Sequence, residues 1–272
     1  FNQMRKSRMQ ALIVVPAFNA AQGLAQILPL MPSPHTIVID DGSIDGSAER
    51  AVHLGHKVLI HKQNLGLSAA IQTGEQYAVE NGYTHVLLID ADGQHPPQLY
   101  KKFLMRMTTN DFVLGDRFSR LCYVPTQKIA SNFFASLIIK NVTGVFIRDV
   151  ACGYRGYDLH QGTTDHRSLG YSFIYDQVID LTLKGVSPVR VRIPPLYNIQ
   201  QPLSTKYSEI RDLTYSLMNR FPDHELVAIL HNAIDKRSDL NIIIENVPFV
   251  AHYVREWDSY IFSTDIRLAR KY

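Results

Sequence analysis

The sequence predicts an α/β fold of the doubly wound kind, a mostly parallel sheet with helices on both faces, followed by a mainly helical C-terminal appendage. Three observations predict it. Short β-branched runs alternate with helical patterns through the first half of the chain. The runs are apolar almost throughout, as strands covered on both faces must be. Several of them end in acidic or small residues, and the carboxyl ends of the strands are where such sheets bind ligands.

The strand candidates are Ala11–Val15, Thr36–Asp40, Lys57–His61, His85–Asp90 and Asp111–Gly115. The clearest helix between them runs from Gly66 to Glu80, where Leu67, Ala70, Ile71, Gly74, Tyr77 and Ala78 follow the helical spacing. A short helix is expected over Ser47–Leu54. Beyond residue 125 the pattern changes. Lys128–Thr143 and Gly170–Lys184 read as helices, and Val189–Ile193 as a strand stopped by Pro194 and Pro195. Tyr207–Phe221 is an amphipathic helix with Ile210, Leu213, Leu217 and Phe221 on one face. Glu225–Asp235 reads as a helix, Leu240–Val247 as a strand and Ala251–Tyr272 as mostly helical.

The composition excludes several classes. Hydrophobic residues make up 46% and charged residues 19%, a balance that argues against disorder. A net charge of +3 is too small to imply a nucleic-acid partner. The two cysteines, Cys122 and Cys152, form no CxxC pair, and reduced thiols in a cytoplasmic protein are expected. The most apolar run, Phe133–Ile139, falls far short of the roughly 18 residues of a membrane span, and Phe1–Gln10 does not read as a signal peptide.

Four stretches carry chemistry. In Leu87–Pro97 an apolar strand delivers Asp90 and Asp92 to its carboxyl end, followed by Gly93 and Gln94. If the strand persists, alternation puts both carboxylates on one side. Such hard oxygen ligands suit Mg²⁺ or Mn²⁺, which would bridge a diphosphate. A capped turn before a helix begun by Pro96-Pro97 reads the same residues equally well. In Thr36–Asp45 a second strand ends in Asp40 and Asp41, followed by Gly42 and Ser43, a loop able to accept bonds from a ribose hydroxyl or a base N–H. Asp45 or Ser43 could instead cap the next helix. Pro16, Ala17, Phe18 and Asn19 follow the first strand, which Pro16 is expected to end. Asn64-Leu65-Gly66-Leu67 leads into a helix whose N-terminus can meet an anion. Small residues at the last two places are as often simple tight packing.

In this order the four stretches resemble family-two glycosyltransferases of the GT-A (Rossmann-like) type, and among them the polyprenyl-phosphate sugar transferases such as dolichol-phosphate mannosyltransferase. The resemblance covers about residues 11 to 220. It implies a catalytic domain over 11–221 and leaves 222–272 as an extension of unknown role. It implies a UDP- or GDP-sugar donor contacted by Pro16, Phe18, Asn19, Asp40, Asp41, Ser43, Asn64, Gly66, Asp90 and Ala91, and a Mg²⁺ or Mn²⁺ ion on Asp90, Asp92 and Gln94. Gly115-Asp116-Arg117-Phe118 stands where the family has a Gly-Ser-Arg-Phe-like turn whose Arg contacts phosphate; Asp116 is a departure. Lys128 stands where Arg is usual. Asp149–Arg155 is similar to the family's Asp-x-x-Ser-Gly-Phe-Arg, with Cys152 in place of Ser, and Asp176 stands where Glu is usual. The resemblance makes Arg155 and Lys206 donor contacts; an ion pair of Arg155 with Asp149 and a solvated loop charge at Lys206 are the structural alternatives.

The reaction implied is an inverting displacement, with Asp92, Arg117, Lys128 and Asp176 as its catalytic groups. A polyprenyl phosphate acceptor is already an anion, whereas a hydroxyl acceptor needs a base, for which Asp176 is the candidate. A cytoplasmic protein peripheral to the membrane is expected, with Tyr207–Phe221 and Ala251–Tyr272 at the interface; packing on the catalytic domain or a homo-oligomer surface is the alternative. The rivals fit poorly. A haloacid-dehalogenase-like phosphatase would carry its DxDG on the first strand with Thr or Val next, but three or four strands precede Asp90 and Gln94 follows. A dinucleotide oxidoreductase would need GxGxxG where Pro16-Ala17-Phe18-Asn19 stands. A sugar-nucleotide-binding protein without turnover stays open because of Asp116, Cys152 and Asp176.

Overall fold

The computed structural model describes residues 9–118, 126–162, 172–194 and 206–235. Seven strands, β1 (Ala11–Ala17), β2 (Thr36–Asp40), β3 (Lys57–Ile60), β4 (His85–Leu88), β5 (Phe112–Asp116), β6 (Arg155–Asp158) and β7 (Val189–Arg192), form one sheet in the order β3-β2-β1-β4-β6-β5-β7. β1 pairs in parallel with β2 and β4, β2 with β3, and β5 with β7; β6 runs antiparallel between β4 and β5. The helices are α1 (Ala21–Ile27), α2 (Ser47–His53), α3 (Leu67–Glu80), α4 (Tyr100–Met107), α5 (Thr126–Thr143), α6 (Leu159–Gly162), α7 (Ser172–Leu183), α8 (Lys206–Met218) and α9 (Glu225–Asp235).

The central strands are apolar because both of their faces are covered. Leu12 to Val15 on β1, Ile37 to Ile39 on β2 and Val86 to Leu88 on β4 are at most 3% exposed and belong to one core cluster. The cluster extends to Leu213 and Leu217 on α8 and to Leu226, Val227 and Leu230 on α9. The apolar face of α8 therefore packs inside the protein. That corrects the expectation of an interfacial helix over Tyr207–Phe221: its apolar residues Leu213 and Leu217, at 1% and 0% exposure, have already found their partners. Leu240–Val247 and Ala251–Tyr272 lie outside the described residues, as does Cys122.

Two further expectations are corrected, and one strand carries no sequence signal. β4 stops at Leu88; Ile89 still donates its N–H to the Val14 carbonyl, at 3.2 Å, and Asp90 then leaves the sheet. Asp90 and Asp92 are thus brought together by a turn, not by strand alternation. Pro16 does not end β1, which continues to Ala17. Val14 uses its carbonyl on the β4 side and Ala17 on the β2 side, so an N–H at position 16 would face β4. The last rung between β1 and β4 is Val14–Leu88. Pro16 therefore breaks no ladder bond. β6, finally, has no apolar run: Arg155-Gly156-Tyr157-Asp158 carries no strand signal, and its burial on both sides comes from tertiary context.

Helix α3 lies against β1 so closely that Gly74 has no room for a side chain; a Cβ there would sit 2.4 Å from Val14 Cγ1. Helix propensity alone would favour Gly74→Ala by about 1 kcal/mol. Overpacking a dense core costs about 1–3 kcal/mol. The overpacking should win, giving a net loss in a urea titration, and Val14→Ala in the same chain should recover part of it.

Candidate active site

The crevice opens where the strand order reverses. β1 is followed on one side by β2 and β3 and on the other by β4, and their carboxyl ends diverge beyond the Val14–Leu88 rung. The gap is lined by Pro16, Leu67, Leu88, Asp90, Gly153 and Arg155, with the start of α7 across it.

Asp90 is the second residue past β4, and its side chain is 35% exposed. Gly153 packs directly on its carboxylate: a Cβ at 153 would lie 2.2 Å from Asp90 Oδ2. The turn that follows is fixed from below. Ala91 is buried, and its carbonyl sits against Gly23, where a Cβ would be 1.9 Å away. Gly93 turns in the left-handed region, φ +76°, and the Gln94 N–H donates to Asp92 Oδ1 at 2.9 Å. Desolvation raises the pKa of Asp90, and the nearby Arg117 offsets part of that. Desolvation raises Asp92 as well, and the charge of Asp90 adds to it. The turn thus gathers two carboxylates whose charged forms burial disfavours.

His95, at the end of this turn, is 1% exposed and stacks near Tyr154, ring centres 5.4 Å apart. Burial and the Arg117 charge push its pKa down to about 4, so at neutral pH it is uncharged and its 3.5 Å approach to Asp90 is not an ion pair. Its other neighbour is Cys152, 3.9 Å away, a free buried thiol pushed up to about 12 by desolvation and Asp149. Cys152 is thus an inert packing group beneath the acidic turn.

On β2 the two acidic residues have different work. Both oxygens of Asp41 are engaged: Oδ1 accepts from Leu65 N at 2.9 Å and meets His61 Nδ1 at 2.7 Å, and Oδ2 accepts from Gly66 N at 2.7 Å. Asp41 anchors the loop that begins α3. Asp40 Oδ1 accepts from Ser43 N at 2.8 Å, while its Oδ2 is buried without a partner among the described residues. The loops after β1 and β2 are stitched together. Asn19 N donates to Ser43 Oγ and Ile44 N to Asn19 Oδ1, at 2.9 and 3.0 Å, with Asn19 itself at φ 49°. Ala21 N donates to Asp45 Oδ2 at 3.0 Å. Phe18 is left 48% exposed beside them, and Asn64 is exposed on the neighbouring loop.

The cations are held as firmly. Arg117 meets Asp149 through Nε and Nη2 at 2.9 and 2.7 Å, and its backbone N–H donates to the same carboxylate. Arg155, 1% exposed, does not pair with Asp149. It donates to the carbonyls of Val150, Cys152 and Ile174 at 3.1, 2.6 and 2.9 Å. Its donors point into backbone rather than toward a ligand, so Arg155 clamps the turn that ends in Gly153. Asp176 is 2% exposed and bonded to Arg220 at 2.6 Å, which also grips Asp180 at 2.5 and 2.7 Å. Lys128 lies within α5 and Lys206 opens α8, and their side chains lie outside the described residues. Sequence reasoning missed Gly153, Gly23, His95 and Arg220. The glycines act through the absence of an atom, and Arg220 acts from a distant helix.

Asp41→Ala removes the acceptor for two backbone donors and a histidine. Stability should fall by about 2–3 kcal/mol, the cost of part-buried donors left unmet. Chemical denaturation checks this; a loss under 0.5 kcal/mol, the range of a neutral surface change, would contradict the anchoring role.

Comparison with known proteins agrees with this layout. The chain is 27% identical over 205 residues to an undecaprenyl-phosphate mannosyltransferase of Micrococcus luteus, covering 68% of this chain and 83% of that protein. It is 27% identical over 208 residues to a polyprenol monophosphomannose synthase of Mycolicibacterium smegmatis, covering 68% and 76%. Its fold matches glucosyl-3-phosphoglycerate synthase from Mycobacterium tuberculosis, solved with Mg²⁺ and uridine diphosphate, with TM-score 0.63 and 19% identity over 82% of this chain and 83% of that one. A model of Glycosyl transferase family 2 matches residues 12–164, and the chain belongs to that family: it is a glycosyltransferase of GT-A fold.

Proposed function

We propose that the protein transfers a sugar from a UDP- or GDP-sugar to a polyprenyl phosphate, with inversion at the anomeric carbon. The observation that carries the choice of acceptor is the state of Asp176. A hydroxyl acceptor needs a carboxylate to take its proton. Asp176 is buried and locked on Arg220, and Asp149 is locked on Arg117, so neither is placed as a base. A phosphate acceptor is already ionised and needs none. Relatives named for undecaprenyl phosphate and polyprenol phosphate support the same acceptor.

The donor diphosphate is read into the crevice between β1 and β4. Asp40 offers its unpartnered oxygen toward the nucleoside, with Phe18 beside it and the stitched loop of Asn19 and Ser43 as the floor. Pro16, Asn64, Gly66 and Ala91 supply backbone surface around the donor. Asp90, Asp92 and Gln94 would hold Mg²⁺ or Mn²⁺. Their fit rests on oxygen donors of the right hardness and on two carboxylates sharing one turn, where nearby arginines offset only part of the cost of burial. Among the described residues no three His, Cys, Asp or Glu side chains converge, so further ligands would come from Gln94, the diphosphate and water. The ion, when bound, neutralises the departing nucleoside diphosphate. Arg117, oriented by Asp149, and Lys128 add positive charge to that leaving group, and Lys206, at the start of α8, is read as a further donor contact. Arg155 is read as a positioning residue. The catalytic unit is 11–221 and the extension 222–272, whose first helix, α9, shares the core. The acceptor's lipid tail places the enzyme at the cytoplasmic face of a membrane as a peripheral protein; among the described residues no helix is long and apolar enough to cross one.

The test is product formation from UDP- and GDP-sugars with a short polyprenyl phosphate. Asp92→Asn and EDTA should each lower turnover by at least about 100-fold, since outer partners of metal ligands alone are worth about 10–100-fold. Full activity in EDTA would overturn the metal assignment. Transfer only to a hydroxyl acceptor would overturn the acceptor. Gly153→Ala should weaken Mn²⁺ binding about 10–100-fold while the fold survives, because the new methyl displaces Asp90.

A further inference from the structure

Residues 116–117, at the end of β5, and 148–149 face each other with crossed charges. One pair is closed and the other open. Arg117 meets Asp149 at 2.7 Å, with side chains 14% and 1% exposed. Arg148 stands 3.5 Å from Asp116 Oδ2, and Arg190, from β7, stands 3.7 Å from the same oxygen. Both distances exceed the roughly 2.7–2.9 Å of a charge-assisted hydrogen bond. Asp116 is 4% exposed in its side chain, but Arg148 and Arg190 are 44% and 53% exposed. Among the described residues Asp116 is the one carboxylate within ion-pair distance of either arginine. Two guanidinium groups around one buried carboxylate leave one positive charge in excess, with donors turned outward. Arg192, two residues along β7 and so on the same face, is exposed as well. As structural pairs these contacts contribute little.

Their location gives them a use. Asp116 and Arg148 are each one residue from the Arg117–Asp149 pair, and Gly115, next to Asp116, packs on Cys152, whose Sγ lies 3.9 Å from His95 of the acidic turn. The cluster therefore borders the acidic turn on the side away from β2 and the nucleoside loops.

We propose that Arg148 and Arg190, held apart by Asp116, form a phosphate-monoester subsite whose ligand is the phosphate of the acceptor. This rests on the acceptor reading above. A monoester dianion placed between the two guanidinium groups supplies the charge they lack and accepts from both. The departure of Asp116 from the family's usual residue then has a purpose: it fixes the spacing of the two arginines while neutralising only one of their two charges.

Binding and turnover separate the two ideas. Calorimetry without donor would use farnesyl phosphate, glycerol 3-phosphate and, as a phosphodiester surface, phosphatidylglycerol vesicles, against wild type, Arg148→Gln and Arg190→Gln. Each substitution should weaken farnesyl phosphate and glycerol 3-phosphate about tenfold, one lost charged contact, with UDP affinity unchanged. The lysine variants should recover part of that, which also guards against a folding defect. Unchanged affinity for both monoesters would overturn the subsite even if the enzyme glycosylates polyprenyl phosphate. So would a loss confined to the vesicles, which would mark a membrane-surface patch instead. Arginine-dependent monoester binding together with transfer only to hydroxyl acceptors would leave an anion site and sink the acceptor reading.

Discussion

Beyond the Val14–Leu88 rung, β1 and β4 have no partner between them. β4 has turned out of the sheet at Asp90, and β1 runs on to Ala17 through a proline that needs no bond on that side. Everything at this end of the molecule is arranged around that separation. It leaves a gap at the topological switch, lined by Pro16, Leu88, Asp90 and Arg155. On the β2 side it is bounded by loops tied to each other through Asn19, Ser43, Asp45 and Asp41. On the β4 side it is bounded by the acidic turn, held between Gly23 below and Gly153 above.

The two glycines show how tightly the turn is set. Ala91 and Asp90 are adjacent, and each touches a position where a methyl group would fall within bonding range of an oxygen. The turn cannot shift toward either neighbour. Its two carboxylates are therefore fixed in place, although the charge of Asp90 disfavours that of Asp92. Arg155 belongs to this scaffold. Its guanidinium satisfies the carbonyls of Val150 and Cys152, in a segment without regular structure, and that of Ile174 in α7, and so fixes the position of Gly153.

The architecture was legible where a residue's role follows from its local pattern. The central strands β1, β2 and β4 read correctly because burial on both faces demands continuous apolar runs, and Glu225–Asp235 and Thr36–Asp40 fall where the sequence pattern put them. β6 was illegible because it is a strand by insertion: an arginine and a glycine extend only because β4 and β5 flank them. The site was legible as a set of loops but not as a division of labour. Asp40 and Asp41 are indistinguishable as letters. Only the fold shows that one binds backbone with both oxygens while the other keeps one unmet. Likewise Asp176 reads as a base until Arg220, 44 positions later, closes on it.

That division of labour bears on the chemistry. Four acidic residues at the carboxyl end of the sheet are tied to a structural partner: Asp41 to the α3 loop, Asp45 to α1, Asp149 to Arg117 and Asp176 to Arg220. Asp90 and Asp92 stand against each other instead. An enzyme that had to deprotonate an alcohol would need one of the first four released, and releasing any of them would leave a buried cation or backbone donors unmet, at a cost of about 1–5 kcal/mol. An acceptor that arrives as an oxyanion requires no such release. What it requires is positive charge that is not already neutralised, and the crossed pairs of residues 116–117 and 148–149 provide it on one side only: the Arg117–Asp149 pair is closed, while Arg148 and Arg190 face outward around a single carboxylate.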